Sequence, residues 1–317
     1  MDPRPQPNHP TDAERVVGAI VGGAIGDGWG GASEGRGARG PVAPPRRLVA
    51  SDDTQLTLAT CEAVLAAGRV DPEAIAAAFL RWFRAGRLRG LGASTAAALR
   101  SLDAGAPWTL SGAVGERAAG NGAAMRVAPL AFGLDPSDDG DRRLLHDVVS
   151  ITHRHDEAFA GAWAVVVAVR RAAAGASLDD LLAHVAAALP DSAVRDRLRA
   201  VDACGRVTPA EAAARFGSTG YVVDSVPIAL LAARGAAAHP FEAVVASAVA
   251  AGGDTDTIAS IAGQVAGAAL GLRAVPEDLR ARLDDREDVE ATAAAFAARG
   301  PTPGAGRDGG RSRTLRG

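Results

Sequence analysis

Two short acidic-hydroxyl runs, Ser51-Asp52-Asp53-Thr54 and Asp254-Thr255-Asp256-Thr257, stand about 200 residues apart, and each opens an apolar, Ala-rich stretch of helical character. Any fold of this chain has to place these two carboxylate-bearing helix starts. Kept apart, they are capped N-termini, because Asp, Ser and Thr accept hydrogen bonds from the first free backbone N–H groups. Brought together, they assemble four carboxylates and two hydroxyl oxygens. That hard-oxygen set suits Mg²⁺ or Mn²⁺, as one ion or a pair. Without a cation, carboxylates crowded into one pocket repel one another and their pKa values rise.

The rest of the chain reads as helix almost throughout. Asp71-Pro72 caps a helix through Ala85, Asp135-Pro136-Ser137 precedes one reaching Ile151, and Asp156 opens one ending near Gly175. Ser177-Leu178-Asp179-Asp180 and Thr208-Pro209 are further N-termini. Ile258, Ile261, Val265 and Ala268 fall at helical spacing, with Gly263 and Gly267 on one face for close helix packing. Only Gly220-Tyr221-Val222-Val223 suggests extended chain. There is no internal repeat and no central linker. The expectation is an all-α fold: a single large orthogonal helical domain over 11–298, with a metal site where helix N-termini and loops converge. Residues 1–10 and 299–317, rich in Pro, Gly and Arg, read as disordered tails.

Composition excludes several chemistries. All 34 basic residues are Arg, which rules out a P-loop lysine, a Schiff-base lysine and a lysine general base. The net charge of −3 leaves no basic excess for a nucleic-acid partner. The apolar runs 16–25 and 258–272 are too short to cross a bilayer. Two isolated cysteines, Cys61 and Cys204, make neither a disulfide framework nor a zinc site. A monomeric cytoplasmic protein is expected.

Gly26-Asp27-Gly28-Trp29-Gly30-Gly31 matches the dinucleotide pattern, but no strand precedes it and no helix follows. The segment reads instead as a glycine-rich helix ending in a loop that carries Asp27 and Glu34. That loop, 30–45, has few apolar anchors and is expected to be mobile. Gly120-Asn121-Gly122-Ala123-Ala124-Met125-Arg126 reads as a tight turn leading into a helix whose first N–H groups can bind phosphate. His153 and His155 lack a third ligand of the type zinc needs. A hydrogen bond from His153 to a substrate phosphate fits better than a zinc site, beside a plain capping or packing role. No G-x-S-x-G nucleophile elbow is present.

In order, Gly22-Gly23-Ala24-Ile25-Gly26-Asp27 with Glu34, Ser51-Asp52-Asp53-Thr54, Gly120 to Arg126, Thr152-His153 through Ala158, Asp224-Ser225-Val226-Pro227 and Gly252-Gly253-Asp254-Thr255-Asp256-Thr257-Ile258-Ala259 resemble the ADP-ribosylglycohydrolases of the dinitrogenase reductase-activating type. The resemblance implies an all-α fold with two Mg²⁺ or Mn²⁺ held by Ser51, Asp52, Asp53, Asp254, Asp256 and Thr257. It also implies Glu34 near the scissile bond, and Gly120, Asn121, Gly122 and His153 near an ADP-ribose. Two departures stand out. Ser51 replaces a frequent Thr, and His153-Arg154-His155-Asp156 replaces the usual His-Gly-His-Pro. The implied activity is hydrolysis of the bond between ADP-ribose and an acceptor: a protein side chain such as arginine or serine, a nucleic-acid base, or a small molecule. Glu34 or Asp254 would be the general acid or base. The alternatives are a non-catalytic ADP-ribose-binding protein on the same fold and a two-metal hydrolase of another nucleotide.

Overall fold

The structure is a computed structural model that describes residues 9–35 and 42–301. Residues 1–8 and 302–317 of the expected tails, and 36–41 of the expected mobile loop, lie outside the described residues. Arg299, read as tail, instead ends the last helix.

The described residues form fifteen α-helices. They are α1 (Asp12–Gly31), α2 (Asp52–Ala67), α3 (Pro72–Arg84), α4 (Ala93–Asp103), α5 (Trp108–Ser111), α6 (Asp139–Ser150), α7 (Asp156–Ala173), α8 (Leu181–Ala188), α9 (Ala193–Asp202), α10 (Pro209–Phe216), α11 (Val222–Arg234), α12 (Phe241–Val249), α13 (Thr255–Leu270), α14 (Glu277–Arg280) and α15 (Arg286–Arg299). No strand occurs among them, only three isolated bridges. No helix is long and apolar enough to cross a membrane.

Local chemistry sets most of the helix starts. Asp71 accepts from the backbone N–H groups of Glu73 and Ala74, with Pro72 at the first helical position. Thr11 and Thr208 form capping boxes with Glu14 and Glu211. Each such cap contributes about 1 kcal/mol. The helix after Pro136 starts a little later than the sequence suggests, with Asp138 as its cap. The expected extended stretch at Gly220 is shorter than its β-branched residues suggest. Only Tyr221 is extended, and it serves as N-cap of α11, which absorbs Val222 and Val223.

The organising contact is between α1 and α13, which run antiparallel with backbones touching. A Cβ added to Gly18, Gly22, Gly26 or Gly30 would sit 2.0–2.4 Å from the carbonyl oxygen of Gly267, Gly263, Ala259 or Thr255 respectively. Four glycines at four-residue spacing therefore form a flat ridge that only a small-residue partner fits. Glycine disfavours a helix interior by about 1 kcal/mol each; here the close backbone packing offsets that cost. This corrects the expectation for Asp27. The glycine-rich segment continues as helix through Gly31, so Asp27 lies inside α1, fully buried, and not on a loop.

At the far end of α1, the buried Arg15 donates to the carbonyls of Ala172, Ala268 and Ala269. It thereby caps the last turns of α7 and α13, where unpaired carbonyls favour a cation. Helix α7 is buried nearly all round, through Val165, Val166, Val167 and Val169.

Candidate active site

The ridge brings the C-terminal turn of α1 against the first turn of α13, where the Thr255 hydroxyl donates to the Gly30 carbonyl at 2.7 Å. Asp27 then fixes the third partner. Its carboxylate accepts from the backbone N–H of Ser51 at 2.9 Å, and from both the N–H and the hydroxyl of Thr54. A buried residue of α1 thus caps α2 from outside, and the two acidic runs meet. Asp53 Oδ2 accepts from the Thr257 hydroxyl at 3.3 Å, across 204 positions of sequence.

These residues open on a cleft of about 290 Å³. Glu34, Asp52, Asp53, Asp254, Asp256 and Thr257 line it, together with Gly120, Asn121, Gly122 and His153. Of the metal, catalytic and substrate residues that the resemblance implies, Ser51 alone is not among the lining. Its hydroxyl accepts from the Asp53 N–H, so Ser51 serves as the N-cap of α2. Asp254 behaves differently. It precedes α13 but makes no side-chain cap bond; its Oδ2 accepts from the Asn121 amide instead. Helix capping accounts for the first run in part and does not account for Asp254.

The electrostatics are those of an uncompensated acidic pocket. Burial, with repulsion from neighbouring carboxylates, pushes Asp52 and Asp254 up to about 7 and Asp53 well above the ordinary range. Burial raises Asp27 to about 6, against the pull of its hydrogen bonds from Thr54 and Ser51. Glu34, exposed at the mouth, is raised chiefly by Asp256. Asp53 Oδ1 is buried with no hydrogen-bond partner. Oxygens of Glu34, Asp254 and Asp256 all lie within 4.8 Å of one another. A buried carboxylate oxygen without a donor costs several kcal/mol unless a proton or a cation meets it. The donor set therefore fits a hard divalent ion.

The opposite wall offers donors. The Asn121 amide bridges Ser225 and Asp254, and its backbone N–H reaches the Gly220 carbonyl. Arg126, fully buried, binds the Gly122 carbonyl and donates to the Thr152 hydroxyl at 2.8 Å. That hydroxyl also shares a hydrogen bond with His153 Nδ1, 2.7 Å away. Burial and the Arg126 charge lower His153 to about 3, so the ring is neutral. Its Nε2 is the atom nearest to a Cβ built on Gly120. His155 does not join it; its Nδ1 accepts from the Glu157 N–H and caps α7.

One expectation at this wall is corrected. No α-helix follows Gly120 to Gly122. The chain makes single 3-10 turns at Ala124–Arg126 and Ala128–Phe132, since Pro129 has no N–H to extend a helix. Besides those of α2 and α13, the helix start that reaches the cleft is that of α4, through Gly92, Ala93, Ser94 and Thr95, with no side-chain cap. Sequence reading missed it, and missed Arg117, Gly90, Met125 and Gly220 in the lining. The only signal was Gly90-Leu91-Gly92 ahead of an Ala-rich run.

The family model for ADP-ribosylglycohydrolase matches residues 8–305. The ADP-ribosylarginine hydrolase Tri1 of Pseudomonas putida is 30% identical over 244 residues, 74% of this chain and 63% of that protein. The ADP-ribosylhydrolase ARH3 of Mus musculus is 27% identical over 283 residues, 78% of this chain and 76% of that protein. A solved structure titled ADP-ribosylglycohydrolase-related protein complex superposes with a TM-score of 0.71 at 30% identity, covering 91% of this chain and 98% of its own. An all-α chain with an acidic cleft able to hold a metal, this protein belongs to the ADP-ribosylglycohydrolase family. That family is one of glycohydrolase-type hydrolases.

Proposed function

We propose that this protein is a metal-dependent hydrolase that cleaves the bond between ADP-ribose and an acceptor. One observation carries the reading: in a chain of this family, Asp52, Asp53, Asp254 and Asp256 face one cleft whose other wall is Asn121 and the neutral His153. Asp52, Asp53, Asp254, Asp256 and Thr257 would hold two Mg²⁺ or Mn²⁺, with Ser51 keeping Asp53 in place from its cap position. When bound, the ions supply Lewis-acid chemistry, polarising ribose hydroxyls and acidifying a water.

The chain's own residues do the rest. Asn121 orients Asp254 through its amide, and His153 Nε2–H donates to an acceptor oxygen of the nucleotide. Water adds to C1 of the ribose, the bond to the acceptor breaks, and the acceptor leaves with a proton. Positive charge developing on the ribose is met by the surrounding carboxylates. Glu34 is the better candidate than Asp254 for the proton transfer to and from that water. The Asp254 Oδ2 is held by Asn121, whereas Glu34 is exposed at the mouth, where the neighbouring Asp256 raises its carboxyl above the ordinary range.

The names of Tri1 and ARH3 support an ADP-ribosyl bond as the target, and the first of them points to arginine as an acceptor to test. The experiment is a panel of ADP-ribosylated acceptors, on arginine, serine, a nucleic-acid base and small molecules, assayed with Mg²⁺ and with Mn²⁺. Metal-dependent release of free ADP-ribose from at least one supports the reading. Tight ADP-ribose binding with no release from any of them would make the protein a binder on the same fold.

A further inference from the structure

Five carboxylates line the cleft, Glu34, Asp52, Asp53, Asp254 and Asp256, and among the described residues one cationic side chain does, Arg117. It sits in the 3-10 turn Glu116–Ala118, just ahead of Gly120 to Gly122. It is exposed, and among the described residues no ion pair or hydrogen bond engages its guanidinium. Most arginines elsewhere hold carboxylates, as Arg47 holds Asp284 and Arg280 holds Glu290. Gly120, Asn121, Gly122 and the neutral His153 line the cleft with Arg117. A guanidinium beside uncharged groups, facing a wall of carboxylates, sorts a ligand by charge. An anionic segment settles on the Arg117 side, and hydroxyls are left to the carboxylate side.

We propose that Arg117 is the docking residue for the diphosphate of ADP-ribose, its planar fork binding two phosphate oxygens. The inference rests on the ADP-ribose reading above and adds a residue that acts in binding and not in bond cleavage. Arg154 provides the control. It follows His153 directly, is exposed and has no side-chain partner among the described residues, and its backbone N–H donates to the Ala113 carbonyl at 2.8 Å, yet it does not line the cleft.

The test is titration of ADP-ribose and of adenosine, which has no diphosphate, into wild type, Arg117→Ala, Arg117→Lys and Arg154→Ala, with steady-state kinetics on the best substrate. Losing a charge-assisted bidentate contact should weaken ADP-ribose binding about ten-fold or more and raise KM in step, with kcat within about two-fold. Arg117→Lys should recover part of the loss, adenosine affinity should not change, and Arg154→Ala should match wild type. ADP-ribose affinity in Arg117→Ala should also lose much of its salt dependence. Unchanged binding in Arg117→Ala, or equal losses in Arg117→Ala and Arg154→Ala, overturns the docking role. Failure of the wild type to bind ADP-ribose at all sinks the functional reading instead, before any variant is compared.

Discussion

Glu34 is the carboxylate with the most freedom in the cleft. It follows α1 by three residues and is exposed, and the neighbouring Gly35 N–H donates to the Gly253 carbonyl, 2.8 Å away. Asp53 is its opposite, buried and fixed between Ser51 and Thr257. The two should respond differently to loss of charge. Glu34→Gln keeps size but cannot accept a proton, so kcat should fall by about 10²–10⁴-fold while ADP-ribose affinity holds. Steady-state kinetics and a direct binding titration check this together; wild-type turnover in Glu34→Gln would move the proton transfer to Asp254. Removing the orphaned oxygen of Asp53 should cut turnover as severely, yet raise the melting temperature of the metal-free protein, because crowding among carboxylates is relieved. Thermal unfolding of Asp53→Ala in chelator is the measurement, and a lower melting temperature than wild type would show that Asp53 is mainly structural.

The glycine ridge between α1 and α13 governs the site at the scale of elements. Gly26 faces the Ala259 carbonyl so closely that a methyl group would sit 2.0 Å from it, whereas Gly31, one turn on, would meet nothing within 4 Å. Gly26→Ala must push the helices apart, at a cost of about 1–3 kcal/mol or more. For a domain of this size that lowers the melting temperature by several degrees, roughly 2–4 °C per kcal/mol. The same shift moves Asp27 off Ser51 and Thr54, so metal affinity should weaken as well. Gly31→Ala should leave both measurements near wild type; equal effects from the two substitutions would contradict the packing account.

This scale also explains what the sequence made legible. The helix starts at Asp71, Asp156 and Thr208, and the packing face of Gly263 and Gly267, are local or periodic signals. They could be read without knowing any partner. Asp27 was misplaced because a run of glycines argues against helix until its neighbour is known. The α4 start and Arg117 were missed because their proximity to the acidic runs is set by chain returns that no local pattern encodes. Arg126 was visible as part of a motif, but its bond to Thr152, whose hydroxyl in turn meets His153 Nδ1, depends on contact across 26 positions.

Across the whole molecule, the acidic cleft couples protons, cations and stability. In the unfolded chain, carboxyls such as Asp27, Asp52 and Asp254 titrate near about 4; in the metal-free fold they rise to about 6 to 7. Between those limits the native state holds more protons than the unfolded state. The stability these groups contribute is complete below about pH 4 and is lost as pH rises through about 7. A divalent cation competes for the same oxygens, so the rise in melting temperature on adding Mg²⁺ should grow from pH 5 to pH 8. Thermal scans with and without Mg²⁺ across that interval test the coupling, and a gain that shrinks as pH rises would contradict it.

The proposed activity requires that the two acidic runs form one metal centre. The most direct measurement is the anomalous difference map of a crystal soaked in Mn²⁺ and recorded near the manganese edge. The account predicts strong peaks inside the cleft, between Asp52–Asp53 and Asp254–Thr257, close to the unpartnered Asp53 Oδ1. A cleft with no anomalous peak at millimolar Mn²⁺ would contradict it.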